Sequence, residues 1–173
     1  DLPDIGYSTD IDTVMASSYQ VKKQLQQIVK IEQPITNTLL YKRILRIWNL
    51  TRVTTRLQVF IDNLLEDAYK DPLSGDTIIY WEDEEKAKDC DFYRINSKRD
   101  ILDIPILEVM SAARYAIEQQ ISMPTEDLKR LTSQLLGFSR KGNNLDMVTE
   151  QTIQLLVDQG IFSHANGMVS MNN

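Results

Sequence analysis

Apolar positions in the first half of the chain repeat at helical spacing three times. Val21, Leu25, Ile28 and Val29 fall at i, i+4, i+7 and i+8 and predict a helix over about 17–30. Pro34 ends that pattern, because its ring and missing N–H cannot continue a helix. Thr36 is placed to cap a second helix with Leu40, Ile44, Ile47 and Trp48 on one stripe. After the break Asn49–Leu50–Thr51–Arg52, Leu57, Phe60, Ile61, Leu64 and Leu65 predict a third helix over about 54–69. Asp71–Pro72–Leu73–Ser74–Gly75 is a turn cluster. The β-branched and aromatic run Thr77–Trp81 then reads as a strand. Phe92–Ile95 is expected to answer it in a hairpin, with the acidic stretch 82–91 as an exposed loop.

The second half repeats this order. Ile106, Val109, Met110, Ala113 and Ile117 mark a helix with Pro105 near its first turn. Thr125 is expected to cap the next, which buries Leu128, Leu131, Leu135 and Leu136. A break at Gly137–Phe138–Ser139–Arg140 precedes a helix burying Leu145, Val148, Ile153 and Leu156, and Gly160 is placed to stop it. Asn166–Gly167 between two short apolar runs is the favoured dipeptide of a tight hairpin turn.

The halves match in residues as well as in order. Leu40, Lys42, Arg52 and Leu57 answer Leu128, Arg130, Arg140 and Leu145, while Glu32–Thr36 answers Glu118–Ser122. The spacing grows by two between those groups, so Met123–Pro124 reads as a small insertion. An internal duplication follows. The expected fold is mainly α with small β-hairpins (α+β), in two tandem winged-helix-like units of three helices plus a hairpin. The expected boundaries are a tail or linker over 1–16, a first unit over 17–96, a linker over 97–103 and a second unit over 104–173. The alternative is a mixed bundle whose strands join one sheet.

Composition narrows the chemistry. The chain has 173 residues, a net charge of −6, one cysteine and one histidine. Cys90 alone excludes an internal disulfide and a Cys-rich zinc site, and His164 alone excludes a His pair. No phosphate-binding glycine loop, nucleophile elbow or zinc-protease motif is present. No apolar run reaches the ~20 residues that span a bilayer. A soluble, cytoplasmic, non-enzymatic piece of a longer protein, without cofactor, metal or membrane contact, is expected.

A resemblance rests on Ile28–Val29, Glu32–Gln33–Pro34–Ile35, Leu39–Leu40 with Arg43, and Trp48-x-Leu50-x-Arg52. In the second half it rests on Ile104–Pro105 and Leu135–Leu136–Gly137–Phe138-x-Arg140. Over about 17–162 the chain resembles the domain of unknown function at the C-terminal end of large bacterial superfamily I helicase-like ATPases. It departs at Thr54, where the pattern has glycine; the second copy keeps Gly142. The resemblance implies an accessory role beside an ATP-driven motor on DNA or RNA and carries over no catalytic residue.

Lys42, Arg43, Arg46, Arg52 and Arg56 form a strip without an acid, ending at the turn into the third helix. Arg130, Arg140 and Lys141 offer a second copy. Such a turn meets phosphate through its N–H groups and nearby cations. Against base reading, the third helices expose carboxylates, with Asp62 and Glu66 beside Asn63 in the first unit and Asp146, Glu150 and Asp158 in the second. The expected function is therefore a non-catalytic accessory module contacting DNA backbone. The alternative is docking on a protein partner or on the upstream ATPase domain of the same polypeptide, without nucleic acid. The acidic loop around Cys90 reads as a solvated wing tip, His164 as solvent-facing, and Trp48 and Trp81 as packing residues.

Overall fold

A helix begins where the sequence suggests a tail. In the computed structural model, which describes residues 10–74, 77–88, 90–95, 98–118 and 120–172, helix α1 spans Ile11–Ala16. Asp10 caps it, accepting the Asp12 N–H at 3.2 Å, and Val14 is wholly buried in the core that follows. Residues 1–9 of the expected tail lie outside the described residues, as do Gly75 of the turn cluster and Asp89 of the acidic loop.

The chain divides into two units, 1–89 and 90–173. In the first, α2 (Ser18–Glu32) leads through a cis Gln33–Pro34 bond to the short strand β1 (Ile35–Thr36). Helix α3 (Asn37–Ile47) follows, capped by the Thr36 hydroxyl, which accepts the Leu39 N–H at 3.2 Å. Asn49 turns the chain with φ of 50°, a conformation asparagine tolerates. Helix α4 (Thr55–Leu64) is capped in the same way by Thr54, on Leu57. It stops five residues short of the predicted end because Tyr69–Lys70 is strand β2.

The predicted hairpin partner is wrong. Strand β3 (Ile79–Trp81) lies between β1 and β2, with Ile35 opposite Tyr80 and Tyr69 opposite Trp81. Phe92–Ile95 is not a strand and belongs to the second unit. The intervening stretch contains a short helix, α5 (Glu84–Lys88), rather than only loop. Val21, Leu25, Ile28, Leu40, Ile44, Leu57 and Ile61 form the core of this unit. Both tryptophans are buried with their N–H groups donated, Trp48 to Gln24 at 2.8 Å and Trp81 to Asp71 at 3.0 Å. That is the partner a buried indole requires.

The second unit has the same order. Helix α6 (Ile106–Ile117), strand β4 (Met123–Pro124), α7 (Thr125–Leu135), α8 (Asn143–Asp158), β5 (Phe162–Ala165) and β6 (Met168–Met171) form three helices and a sheet ordered β4-β6-β5. Asn166 and Gly167 make the β5–β6 turn, both at positive φ, and Gly160 ends α8 at φ of 71°. The molecule is thus α+β, with two separate three-stranded sheets rather than one joint sheet. Among the described residues no helix is long and apolar enough to cross a membrane.

A shift of 88 residues carries the first residue of α3, Asn37, onto that of α7, Thr125, and Thr55 of α4 onto Asn143 of α8. It also carries Ile35 of β1 onto Met123 of β4. Met123–Pro124 is therefore not an insertion but the counterpart of β1, and the extra residues precede it. Thr125 does not cap α7. Its hydroxyl instead lies 3.1 Å from the Gly167 carbonyl oxygen and 3.1 Å from His164 Nε2, tying the helix start to the hairpin.

The expected linker over 97–103 is also structural. Ile101–Asp103 forms a 3-10 turn capped by Asp100, and Ile101 and Ile104 pack with Val109, Ala112, Leu136 and Leu145.

Candidate nucleic-acid interface

In the first unit, α3 lays Leu40 and Ile44 into the core, which leaves Lys42 and Arg46 exposed on its other side. Arg43 does not join them. Its guanidinium grips Glu32 at the end of α2 through Nε at 2.8 Å and Nη2 at 2.7 Å, a two-pronged and half-buried pair. Arg56 on α4 pairs with Asp12 at 2.7 Å. Sequence reasoning missed both acids because they lie on α1 and α2, far from the strip in the chain. Arg46 and Arg52 remain, exposed and without an ion-pair partner among the described residues.

The second unit keeps its cations together. Arg130, Arg140, Lys141 and Gly142 line a cleft of about 220 Å³ at the α7–α8 turn, with Leu145 in its apolar wall. Arg130 pairs with Asp127 at 3.0 Å, while Arg140 and Lys141 are exposed with no ion-pair partner among the described residues. Gly142 occupies the cap position of α8, and no side chain among the described residues caps that helix. Its first-turn N–H groups carry the positive end of the helix dipole toward the same turn. Glu126 and Asp146 also line the cleft, but both are engaged by Lys129.

Lys129 is buried, with three carboxylates around it: Asp146 at 2.6 Å, Glu150 at 3.0 Å and Glu126 at 3.4 Å. Burial alone works against its charge. The hydrogen bonds to Asp146, Glu150 and Glu126 outweigh that and hold its pKa well above the ordinary lysine range.

The 88-residue shift places Tyr41 where Lys129 stands and Asp62 where Glu150 stands. Tyr41 donates its phenol to Asp62 at 2.7 Å, and Tyr80 reaches the same carboxylate oxygen at 3.4 Å. Burial, reinforced by the Asp62 carboxylate, pushes both phenols well above their usual range.

Of the carboxylates expected on the outer faces of the third helices, only Asp62 is withdrawn from solvent. Asp62 is half-buried and engaged, while Asp146 and Glu150 stay exposed and share the single charge of Lys129 with Glu126, which leaves the cluster net negative. Asn63 and Glu66 are exposed, and Asp158 accepts from Gln154 at 2.7 Å.

One buried cluster escaped the sequence altogether. Glu108 on α6 is wholly buried, and both Arg99, at 2.6 and 2.8 Å, and Arg94 close on it. Burial would raise its pKa, but the hydrogen bonds from Arg99 and Arg94 hold it below the usual carboxylate value. The cluster fastens Arg94 and Arg99 to α6 within the second unit. Its signal was an acid within the apolar run Ile106–Met110, which helical periodicity alone assigns to neither face.

A family model described as "Protein of unknown function (DUF3320)" matches residues 16–59. The matched stretch covers α2, β1, α3 and the start of α4, and holds all five cations of the first strip. No curated protein and no solved structure matches the chain.

Proposed function

We propose that the chain is a non-catalytic accessory module, built of two winged-helix-like units, that contacts the sugar-phosphate backbone of DNA. The order helix–strand–helix–helix–strand–strand in both units supports the winged-helix reading. One observation carries the binding reading. Arg52 and Arg140, related by the 88-residue shift, each stand exposed just before the third helix of their unit, without an ion-pair partner among the described residues. Lys141 and the uncapped start of α8 make the second copy the stronger one. The resemblance to the C-terminal domain of helicase-like ATPases supports placing the module beside a motor, in the cytoplasm, with no cofactor of its own.

Binding of the full chain to a duplex is expected to be weak and indifferent to sequence. Arg140→Ala with Lys141→Ala is expected to weaken it more than Arg43→Ala or Arg56→Ala, which remove cations already neutralised by Glu32 and Asp12. Equal effects of the two pairs would refute the assignment. The net charge of −6 favours a second reading, docking on a protein partner or on the motor itself. That reading expects no duplex binding near physiological salt.

A further inference from the structure

A second cleft, of about 280 Å³, lies wholly within the second unit, on the C-terminal half of α6. Its wall is aromatic: Phe92, Tyr93 and Tyr115, in a chain whose aromatic content is only 8%. Tyr93 and Tyr115 pack at a tilt of 55° with centroids 5.9 Å apart, and Tyr115 is still 59% exposed. An open aromatic face beside a cavity is a stacking platform.

The polar groups around that face are under-used. Ser111 is only 6% exposed and lines the cleft, and its hydroxyl makes no hydrogen bond among the described residues. Arg114 reaches Asp91 from one terminal nitrogen at a long 3.3 Å, and its Nε is buried without a partner. Glu118, on the same cleft, is exposed and has no ion-pair partner among the described residues. The cleft therefore presents guanidinium donors and, one helical turn further on, a carboxylate acceptor beside an aromatic face. With Asp91 and Glu118 against a single arginine, it does not favour a phosphate.

We infer that this cleft takes one unstacked guanine base of a single-stranded nucleic acid. Guanine carries two acceptors, O6 and N7, on the edge that arginine reads, and N–H donors on its Watson–Crick edge for a carboxylate. Adenine puts an amino donor where the guanidinium needs an acceptor. The volume falls just below that of pockets for drug-sized ligands, which suits a single base rather than a base pair. The inference rests on the nucleic-acid reading for its ligand class, but on none of the same residues.

The test is fluorescence anisotropy of the full chain with short thymidine-rich single strands whose central residue is guanine, adenine or abasic. Guanine is expected to bind about tenfold more tightly than adenine, and adenine more tightly than the abasic site, since both bases stack but only guanine matches the arginine and the carboxylate. Tyr115→Ala is expected to bring the guanine and adenine strands both down toward the abasic one and Tyr115→Phe to keep them, as the loss of one stacking contact requires. Glu118→Ala is expected to bring guanine down to adenine. Thermal unfolding of each variant controls for folding. Equal binding of the guanine and abasic strands, or no binding of either, overturns the inference, as does an advantage of guanine over the abasic strand that Tyr115→Ala leaves undiminished. Failure of the backbone reading shows separately, as a salt dependence that Arg52→Ala and Arg140→Ala leave unchanged while the guanine preference persists.

Discussion

The two units fasten their second helix to their third at the same place with opposite chemistry. In the first, a neutral phenol, Tyr41, donates to Asp62. In the second, the ammonium of Lys129 sits among three carboxylates. The framework positions a cross-link and leaves its charge free to vary. The helix starts differ as well: Thr54 caps α4, whereas Gly142 leaves α8 open beside Arg140 and Lys141. The first unit thus offers Arg52 beside a capped helix start at this turn, whereas the second offers Arg140 and Lys141 beside an uncapped one.

The largest expected difference comes from Glu108, which has no counterpart in the first unit's ion pairs. Glu108→Ala leaves two guanidinium groups without their carboxylate and is expected to cost about 3–5 kcal/mol. Both tryptophans lie in the first unit, so their fluorescence follows that unit, while far-ultraviolet circular dichroism follows both. In urea the dichroism is expected to fall first, with the fluorescence midpoint unmoved. A joint shift of both signals would show that the units unfold together.

Acid sharpens the same contrast. The Glu108 pKa is lowered in the folded state. Its contribution is therefore fully present above the unfolded value of about 4.3 and is lost as pH falls through the folded value. Dichroism is expected to respond to acid before tryptophan fluorescence does.

The cross-links come next. Lys129→Met leaves Asp146, Glu150 and Glu126 to repel one another and is expected to cost about 2 kcal/mol, part of it recovered in high salt. Tyr41→Phe removes one hydrogen bond to a carboxylate and is expected to cost about 1.5 kcal/mol, with weaker salt dependence. Reversed salt sensitivities in thermal unfolding would contradict the assignment of the two links.

The smallest effect is at the helix start. Gly142 is extended, with φ of −162°, and a Cβ there meets nothing within 4 Å. Gly142→Ser is expected to stabilise the second unit by about 0.3 kcal/mol by capping α8. Thr54→Gly is expected to destabilise the first by a similar amount, about 0.3 kcal/mol. Differential scanning calorimetry of the two variants resolves the opposite signs.

Helical stripes and the Asn166–Gly167 turn were legible because each is a local signal several residues long or a dipeptide with one preferred geometry. The two-residue strands β1 and β4 have no period to read, so Met123–Pro124 passed for an insertion. Tyr69–Lys70 continued a helical pattern until its partner Trp81 claimed it. In the candidate site, the placement of Arg52 and Arg140 before the third helix was legible. The neutralisation of Arg43 and Arg56 was not, since Glu32 and Asp12 meet them only in three dimensions. Asp62 read as an outward carboxylate because nothing local marks Tyr41 as its donor.

The salt dependence of duplex DNA binding tests the central claim most directly. Arg52, Arg140 and Lys141 acting on three phosphates give a log–log slope of about −2.7, at about −0.9 per contact. Arg52→Ala together with Arg140→Ala is expected to flatten it by about 1.8. A slope unchanged by that double substitution, or no binding to flatten, would contradict backbone contact through these turns.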